Sequence, residues 1–196
     1  MSAVTIRPAR LADAAAIAAI YNQGIRGRAA TFETAERTAE ERARWLTDRA
    51  PEHPCLVATV PDGADERVVG WAASGEYRSR PCYAGIGEFS VYVHNDWHGQ
   101  GIGTALLTAL LAAAEEAGLW KLVSRIFPEN VGSRALCARL GFREVGTYAR
   151  HARLDGVWRD CVIVERLLPA ALTDAPTGEG ARCPFFWQDV SNLFDT

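Results

Sequence analysis

Residues 98–103 read His-Gly-Gln-Gly-Ile-Gly and run directly into an apolar stretch that ends at Gly118. Glycine at the mouth of a helix is destabilising by roughly 0.5–1 kcal/mol against alanine, so something here requires bare backbone. A helix N-terminus presents N–H groups with no intrahelical partner, and glycines let an anion reach them without meeting a Cβ. His98, Gly99, Gln100, Gly101, Ile102, Gly103 and Thr104 therefore form a candidate pyrophosphate cradle. Two familiar phosphate loops do not fit. No lysine follows the glycines as a P-loop requires, and the spacing is G-x-G-x-G rather than G-x-G-x-x-G. The acid that a dinucleotide site needs about twenty residues on falls where this chain has Lys121 to Ser124. His94 and His98 have the spacing of a helical metal pair, but "HNDWHG" lies between a strand and the glycine loop, and no third ligand is evident, so no metal is expected. Upstream, in "YRSRPCY", Arg78 and Arg80 are separated by one residue. In extended chain both would leave from one face, and two guanidinium forks there suit two oxyanions.

The elements that must hold these residues alternate between strand and helix. "AVTIR" reads as a strand, and Asp13 is placed to cap a helix with Ile17, Ile20 and Tyr21 on one face. "AEERARWLTDRA" is a second helix, closed off by Pro51 and Pro54. "CLVATV" and "RVVGWAAS" flank the turn "PDGADE" as a hairpin. "GEFSVYV" sets Phe89, Val91 and Val93 on one side and Glu88, Ser90 and Tyr92 on the other. The helix after the glycine loop carries Ile102, Leu106, Leu110 and Ala114 at four-residue spacing. "KLVSRIF" is a strand, "VGSRALCARL" a helix ended by Gly141, and "FREVGTYARHARLDGVWRDCVIVERLL" a hairpin turning at Asp155-Gly156. Residues 1–169 form one expected domain. Residues 170–196 are a linker, "ALTDAPTGEG" in its core, and an aromatic-rich tail, "CPFFWQDVSNLF".

Composition narrows the function classes. A chain of 196 residues, 48% hydrophobic, supports one sizeable core. A net charge of -3 with scattered arginines gives no footprint for nucleic acid or an acidic membrane. No apolar run is long enough to span a bilayer, and no signal-peptide block is evident. Five cysteines without a CxxC pair suit a reducing cytoplasm.

"VYVHNDWHGQGIGTALL" resembles the acyl-CoA loop of the GNAT superfamily of N-acetyltransferases, Q/R-x-x-G-x-G/A, at His98, Gly101 and Gly103. His98 departs from the usual Gln or Arg, a change that a loop working through backbone N–H groups should tolerate. "NVGSRALCARLGF" is similar to the second signature of that superfamily. "IYNQGI", "ATFE", "YRSRPCY", "GEFSVYV", "IFPEN" and "LDGVWRD" resemble the phosphinothricin and arsinothricin N-acetyltransferase branch from Val4 to about Leu168. The resemblance implies an α/β fold: a mixed, mostly antiparallel central sheet flanked by helices and splayed at the acetyl-CoA-binding strand. It also implies acetyl-CoA as co-substrate, a small glutamate-like amino acid as acceptor, and a homodimer.

Residue roles follow from the same resemblance. Glu88 maps onto the general base. A glutamate at its ordinary pKa of about 4.3 is a weak base for an ammonium, so the role asks for partial burial or a water relay. Cys137 occupies the position of the usual tyrosine or histidine proton donor; a thiol could donate there, but is more often a small buried residue. Backbone N–H groups of Val91, Tyr92 and Val93 are expected to hold the pantetheine arm and the oxyanion. Asn130 and Ser133 match cofactor-binding positions, and Phe32, Glu33, Ser90, Arg78 and Arg80 are expected to line the substrate. Acetylation of polyamines or protein N-termini, and an acetyl-CoA sensor without turnover, are the competing functions.

Overall fold

The computed structural model describes residues 4–168, so the expected linker and tail, residues 170–196, lie outside the described residues. The chain runs β1 (Thr5–Pro8), α1 (Ala14–Gly27), α2 (Ala39–Thr47), β2 (Cys55–Asp62), β3 (Asp65–Glu76) and β4 (Ile86–Val93). It continues as α3 (Ile102–Glu116), β5 (Lys121–Ile126), α4 (Val131–Arg139), β6 (Arg143–Leu154) and β7 (Val157–Leu167). The seven strands form one sheet in the order β1-β2-β3-β4-β5-β7-β6. Every neighbouring pair is antiparallel except β4 and β5.

Both sheet faces are covered by helices whose apolar spacing dictates how they lie. On one face α3 buries Ile102, Leu106, Leu110 and Ala114 to within 1% of full burial, against Ala58, Val69, Ala72 and Phe89. On the other, Ile17, Ile20 and Tyr21 of α1 pack with Val57, Trp71 and Ala73. Adjacent residues of one strand serve opposite cores, as the period of two requires.

Local signals fix the ends of the elements. Thr38 and Glu41 form a reciprocal capping box at α2, the Glu41 N–H donating to Thr38 Oγ1 (3.2 Å) and the Thr38 N–H to Glu41 Oε2 (2.8 Å). Asp155 and Gly156, at φ 48° and 81°, make the tight β6–β7 turn expected of that pair. Two expectations need correction. α2 ends at Thr47 rather than near Ala50. Asp13 stands at the start of α1, but its carboxylate turns back to accept from the Arg10 N–H (2.7 Å) and from both ends of the Arg7 guanidinium (2.8 and 2.9 Å). A charge-assisted fork outcompetes a helix cap.

The feature that positions the site is the β4–β5 junction. Only Ile86, Gly87 and Glu88 pair with β5, opposite Lys121, Leu122 and Val123. Beyond Glu88 the two strands diverge, while β4 stays paired with β3 as far as Gly70↔Val93. The Ser124 hydroxyl donates to the Phe89 carbonyl (2.9 Å) at the apex of the opening.

Candidate functional site

Three concavities meet at this divergence. A cleft of about 560 Å³ is lined by Val91, Tyr92 and Val93 of β4, the glycine loop, and Asn130 and Ser133 at the head of α4. A second, of about 420 Å³, lies among α1, α2, β3 and β4 and is lined by Tyr21, Glu33, Arg42, Trp71, Glu88 and Ser90 among others. A narrow junction of about 70 Å³ shares Val91, Asn130 and Ser133 with the first cleft and Ser90 with the second. The junction thus shares lining residues with both clefts at the point where β4 loses its partner.

The glycine loop has the conformation its composition requires. Gly99 and Gly101 sit at φ 76° and 81°, in the left-handed region that other residues adopt only with strain. Gly101 is the cap residue of α3 and no side chain caps the helix, while its carbonyl accepts the Ala105 N–H (3.0 Å). Ile102, Gly103 and Thr104 line the first cleft with N–H groups that lack helical partners, an arrangement that suits an anion. His98 lines the same cleft with its Nε2 2.9 Å from the Val93 carbonyl, so it ties the loop to the strand. Gln100 Nε2 donates to the Asp96 carbonyl (3.2 Å) and steadies the preceding 3-10 turn. His94 accepts the Asp96 N–H at that turn (3.3 Å). Both histidines serve the backbone, and among the described residues no group of three metal ligands occurs.

Of the three backbone positions expected on β4, two face the opening. His94 N–H donates across to the Val69 carbonyl (2.9 Å), which sets the alternation of the ladder. Residues 92 and 90 therefore pair inward with β3, and 93, 91 and 89 turn to the free edge. The Phe89 and Val93 carbonyls, engaged by Ser124 and His98 respectively, agree with this phase. The expectation for the Tyr92 N–H is corrected accordingly. Tyr92 contributes its side chain instead, stacked on Trp71 at 4.9 Å, its hydroxyl donating to the Ala30 carbonyl (3.2 Å). Burial holds that phenol above its ordinary pKa, so it stays a neutral donor.

Asn130 does two things. Its Oδ1 accepts the Ser133 N–H (3.1 Å) to cap α4, and its Nδ2 donates to the Ala29 carbonyl (3.2 Å). With Tyr92 it pins the α1–α2 connection over the opening. Asn22 holds the far end of that connection, its side chain exchanging hydrogen bonds with the Arg37 backbone (2.8 and 2.9 Å). This places Glu33 in the second cleft, ion-paired to Arg37 (2.5 Å). Phe32 packs edge-on against Phe127 (4.8 Å) beside the junction.

Glu88 lines the second cleft where β4 and β5 still pair. Arg125 of β5 grips both its oxygens, at 2.5 to 2.9 Å. The fork orients the carboxylate and leaves lone pairs free, since a carboxylate accepts about four hydrogen bonds. Sequence reasoning missed Arg125, because no periodic signal links residues on parallel strands. Arg42, Arg49 and Trp71 of the second cleft were missed as well. Ser90 lines both the second cleft and the junction.

Cys137 lines the junction but is 3% exposed, and burial pushes its thiol up to about 12. A thiol held that high donates poorly to a departing thiolate, whose conjugate acid lies near the ordinary value of about 8.5. The geometry therefore favours packing over proton donation. Cys137→Ala is expected to destabilise the fold by about 1 kcal/mol and to leave kcat within about threefold of wild type. Stopped-time assays of thiol release check this; a collapse of kcat in a folded variant would restore the donor role.

Arg78 and Arg80 are exposed on the β3–β4 connection, Arg80 with extended backbone (φ -76°, ψ 133°) immediately before the 3-10 turn Pro81–Tyr83. Arg78 lies over the Tyr77 ring (5.3 Å). Neither residue lines the clefts described above, so the expected pair of forks stands outside them.

Comparison with known proteins agrees with this architecture. The acetyltransferase (GNAT) domain family matches residues 3–143. A phosphinothricin N-acetyltransferase of Streptomyces coelicolor is 34% identical over 165 residues, 84% of this chain and 96% of that one. An L-methionine sulfoximine/L-methionine sulfone acetyltransferase of Pseudomonas aeruginosa is 36% identical over 162 residues, 82% of this chain and 92% of that one. The crystal structure of a phosphinothricin acetyltransferase from Sinorhizobium meliloti in complex with AcCoA superposes with a TM-score of 0.77 at 31% identity, covering 86% of this chain and 89% of that one. A parted β4 edge running into a bare glycine-capped helix, carried by a sequence this close to those enzymes, places the chain in the GNAT family of acetyltransferases.

Proposed function

We propose that this chain transfers the acetyl group of acetyl-CoA to the α-amine of a glutamate-like amino acid of the phosphinothricin, arsinothricin or methionine sulfoximine type. The lining shared at the open β4 edge, between the glycine-loop cleft on one side and the Glu88 cleft on the other, carries the reading. The names of the relatives from Streptomyces coelicolor and Pseudomonas aeruginosa support the substrate class.

The cradle residues fit a pyrophosphate, and bound acetyl-CoA would supply a thioester to the junction. The N–H groups of Ile102, Gly103 and Thr104 hold the anionic end. Val91 and Val93 present free N–H groups to the amides of the arm and to the oxygen on which charge develops. Glu88, oriented by Arg125, takes the proton of the ammonium, directly or through water. As the amine nitrogen bonds the acetyl carbon and the C–S bond breaks, the second proton of that nitrogen passes through water to the departing sulfur. Acetylation removes the amine of a toxic amino-acid analogue, a detoxification consistent with resistance. The apolar side chains left exposed on the last hairpin, Val145, Tyr148, Val157 and Trp158, support a homodimer. The described free thiols suit a reducing cytoplasm.

Thiol release from acetyl-CoA across phosphinothricin, arsinothricin, methionine sulfoximine, spermidine and a peptide N-terminus tests the reading. The glutamate analogues are expected to be the best acceptors; preference for spermidine would sink it. In the same assay Arg78→Ala and Arg80→Ala, both outside the three clefts, are expected to leave kcat/KM for phosphinothricin within about threefold of wild type. A loss of about tenfold or more in either variant would return that arginine to the substrate site.

A further inference from the structure

Buried polar atoms without partners are not scattered through this protein. Among the described residues five such side-chain atoms occur: Arg42 Nε, Arg49 Nε, His53 Nδ1, Trp71 Nε1 and Ser74 Oγ. Four of the five belong to residues lining the second cleft. Folded proteins leave few buried polar groups unsatisfied. Three of these four atoms carry only a donor, and the fourth is a hydroxyl that can donate. Donors gathered in one cleft outline a missing acceptor.

Arg42 is the centre of the cluster. It is 9% exposed, on the inward side of α2. Its guanidinium carbon lies 4.1 Å from the Tyr21 ring, 5.1 Å from Trp45 and 6.0 Å from Trp71. The neighbouring arginines are already engaged. Arg37 is held by Glu33 and Glu41, and Arg49 Nη2 donates to the carbonyls of His53, Pro54 and Ser74. Arg42 forms no ion pair with any described residue, and aromatic faces are its nearest charge-balancing contacts. Cation–π attraction offsets only part of what burying a cation costs.

We propose that Arg42, Trp71 and Ser74 form an oxyanion-binding subsite on the floor of the second cleft. It takes an acid group of the amino-acid substrate while the amine lies toward Glu88. This rests on the proposed acetyl transfer to a glutamate-like amino acid. The charge layout fits a zwitterion: an unpaired cation on the floor, with Glu33, Glu76 and Glu88 also in the lining. A polyamine would set a second ammonium against Arg42, and the cleft selects against it. The oxyanion has two possible sources, the α-carboxylate and the side-chain acid of phosphinothricin.

Trp45 and Trp71 line the cleft, so intrinsic tryptophan emission reads binding without turnover. Phosphinothricin and methionine sulfone are titrated into the full chain with CoA present, for wild type, Arg42→Gln, Arg42→Lys and Ser74→Ala. Arg42→Gln should raise Kd about tenfold or more, the size of a lost charge-assisted fork. Arg42→Lys should fall between, because an ammonium cannot reproduce the planar fork. Acetyl-CoA affinity should be unchanged throughout. A loss for both ligands assigns the α-carboxylate, and a loss for phosphinothricin alone assigns the side-chain acid; either supports the subsite. A wild-type Kd for both ligands in folded Arg42→Gln overturns it. Should that variant fail to fold, an unaltered Kd in Ser74→Ala overturns it instead. Turnover by wild type alongside undisturbed Arg42→Gln binding sinks the subsite alone. Wild type that neither binds nor acetylates either ligand removes the amino-acid reading and the subsite with it.

Discussion

Glu88→Gln is expected to lower kcat by about 10²–10⁴-fold, the usual contribution of a positioned base. KM for the amino acid should move far less, because the proton is accepted in the transition state rather than on binding. Glutamine keeps the size of the side chain and can still accept from Arg125, so the strand junction survives while the basic oxygen is lost. The acidic limb of the kcat/KM profile should vanish with it. Arg125→Ala separates orientation from basicity: a smaller fall in kcat with the limb retained marks Arg125 as a positioning residue. Wild-type turnover at neutral pH in Glu88→Gln would falsify the assignment of the base.

Gly101→Val has the other large effect, and it falls on a different quantity. At φ 81° a β-branched residue is strained whatever space surrounds it, by about 1–3 kcal/mol. A Cβ at Gly101 meets no protein atom within 4 Å, so the new side chain stands over the cleft and not in the core. Acetyl-CoA affinity is expected to fall at least about 100-fold, roughly 2.7 kcal/mol, in a protein that still unfolds cooperatively a few degrees lower. Isothermal calorimetry on the folded variant decides the matter, and unchanged affinity would mean that the loop is only a turn.

Much of this site could be read from residue order because its parts are local. The glycines precede α3 directly, the four-residue repeat of Ile102 to Ala114 orients that helix, and alternation along "GEFSVYV" fixes which side chains share a face. The turn at Asp155-Gly156 is a two-residue signal, and the fold contains it. What escaped is non-local. Glu88 and Arg125 meet only because β4 and β5 run parallel for three residues before parting. Nothing local to α2 marks Arg42, and it is the approach of Tyr21 and Trp71 from other elements that buries it. Asp13 fits a cap until Arg7, six residues earlier, claims its carboxylate. Tyr92 belongs to the right strand with the wrong phase, since ladder direction depends on the partner strand and not on the residue itself.

The short β4–β5 ladder also decides how the molecule comes apart. β1 to β4 with α1, α2 and α3 lie on one side of it, and β5, α4, β6 and β7 on the other. Three residue pairs are the whole main-chain ladder between those halves, against the long ladders within each. The main chain is thus joined least along this line, which the shared core of Phe89 and Leu106 with Leu122 and Val164 bridges, and local opening is expected to start there. Any ligand that grips β4, α3 and the head of α4 at once stitches the two fragments together and raises their resistance to separation with the logarithm of its concentration over Kd. The gap that makes room for chemistry is in this sense a hinge line left for a guest to close.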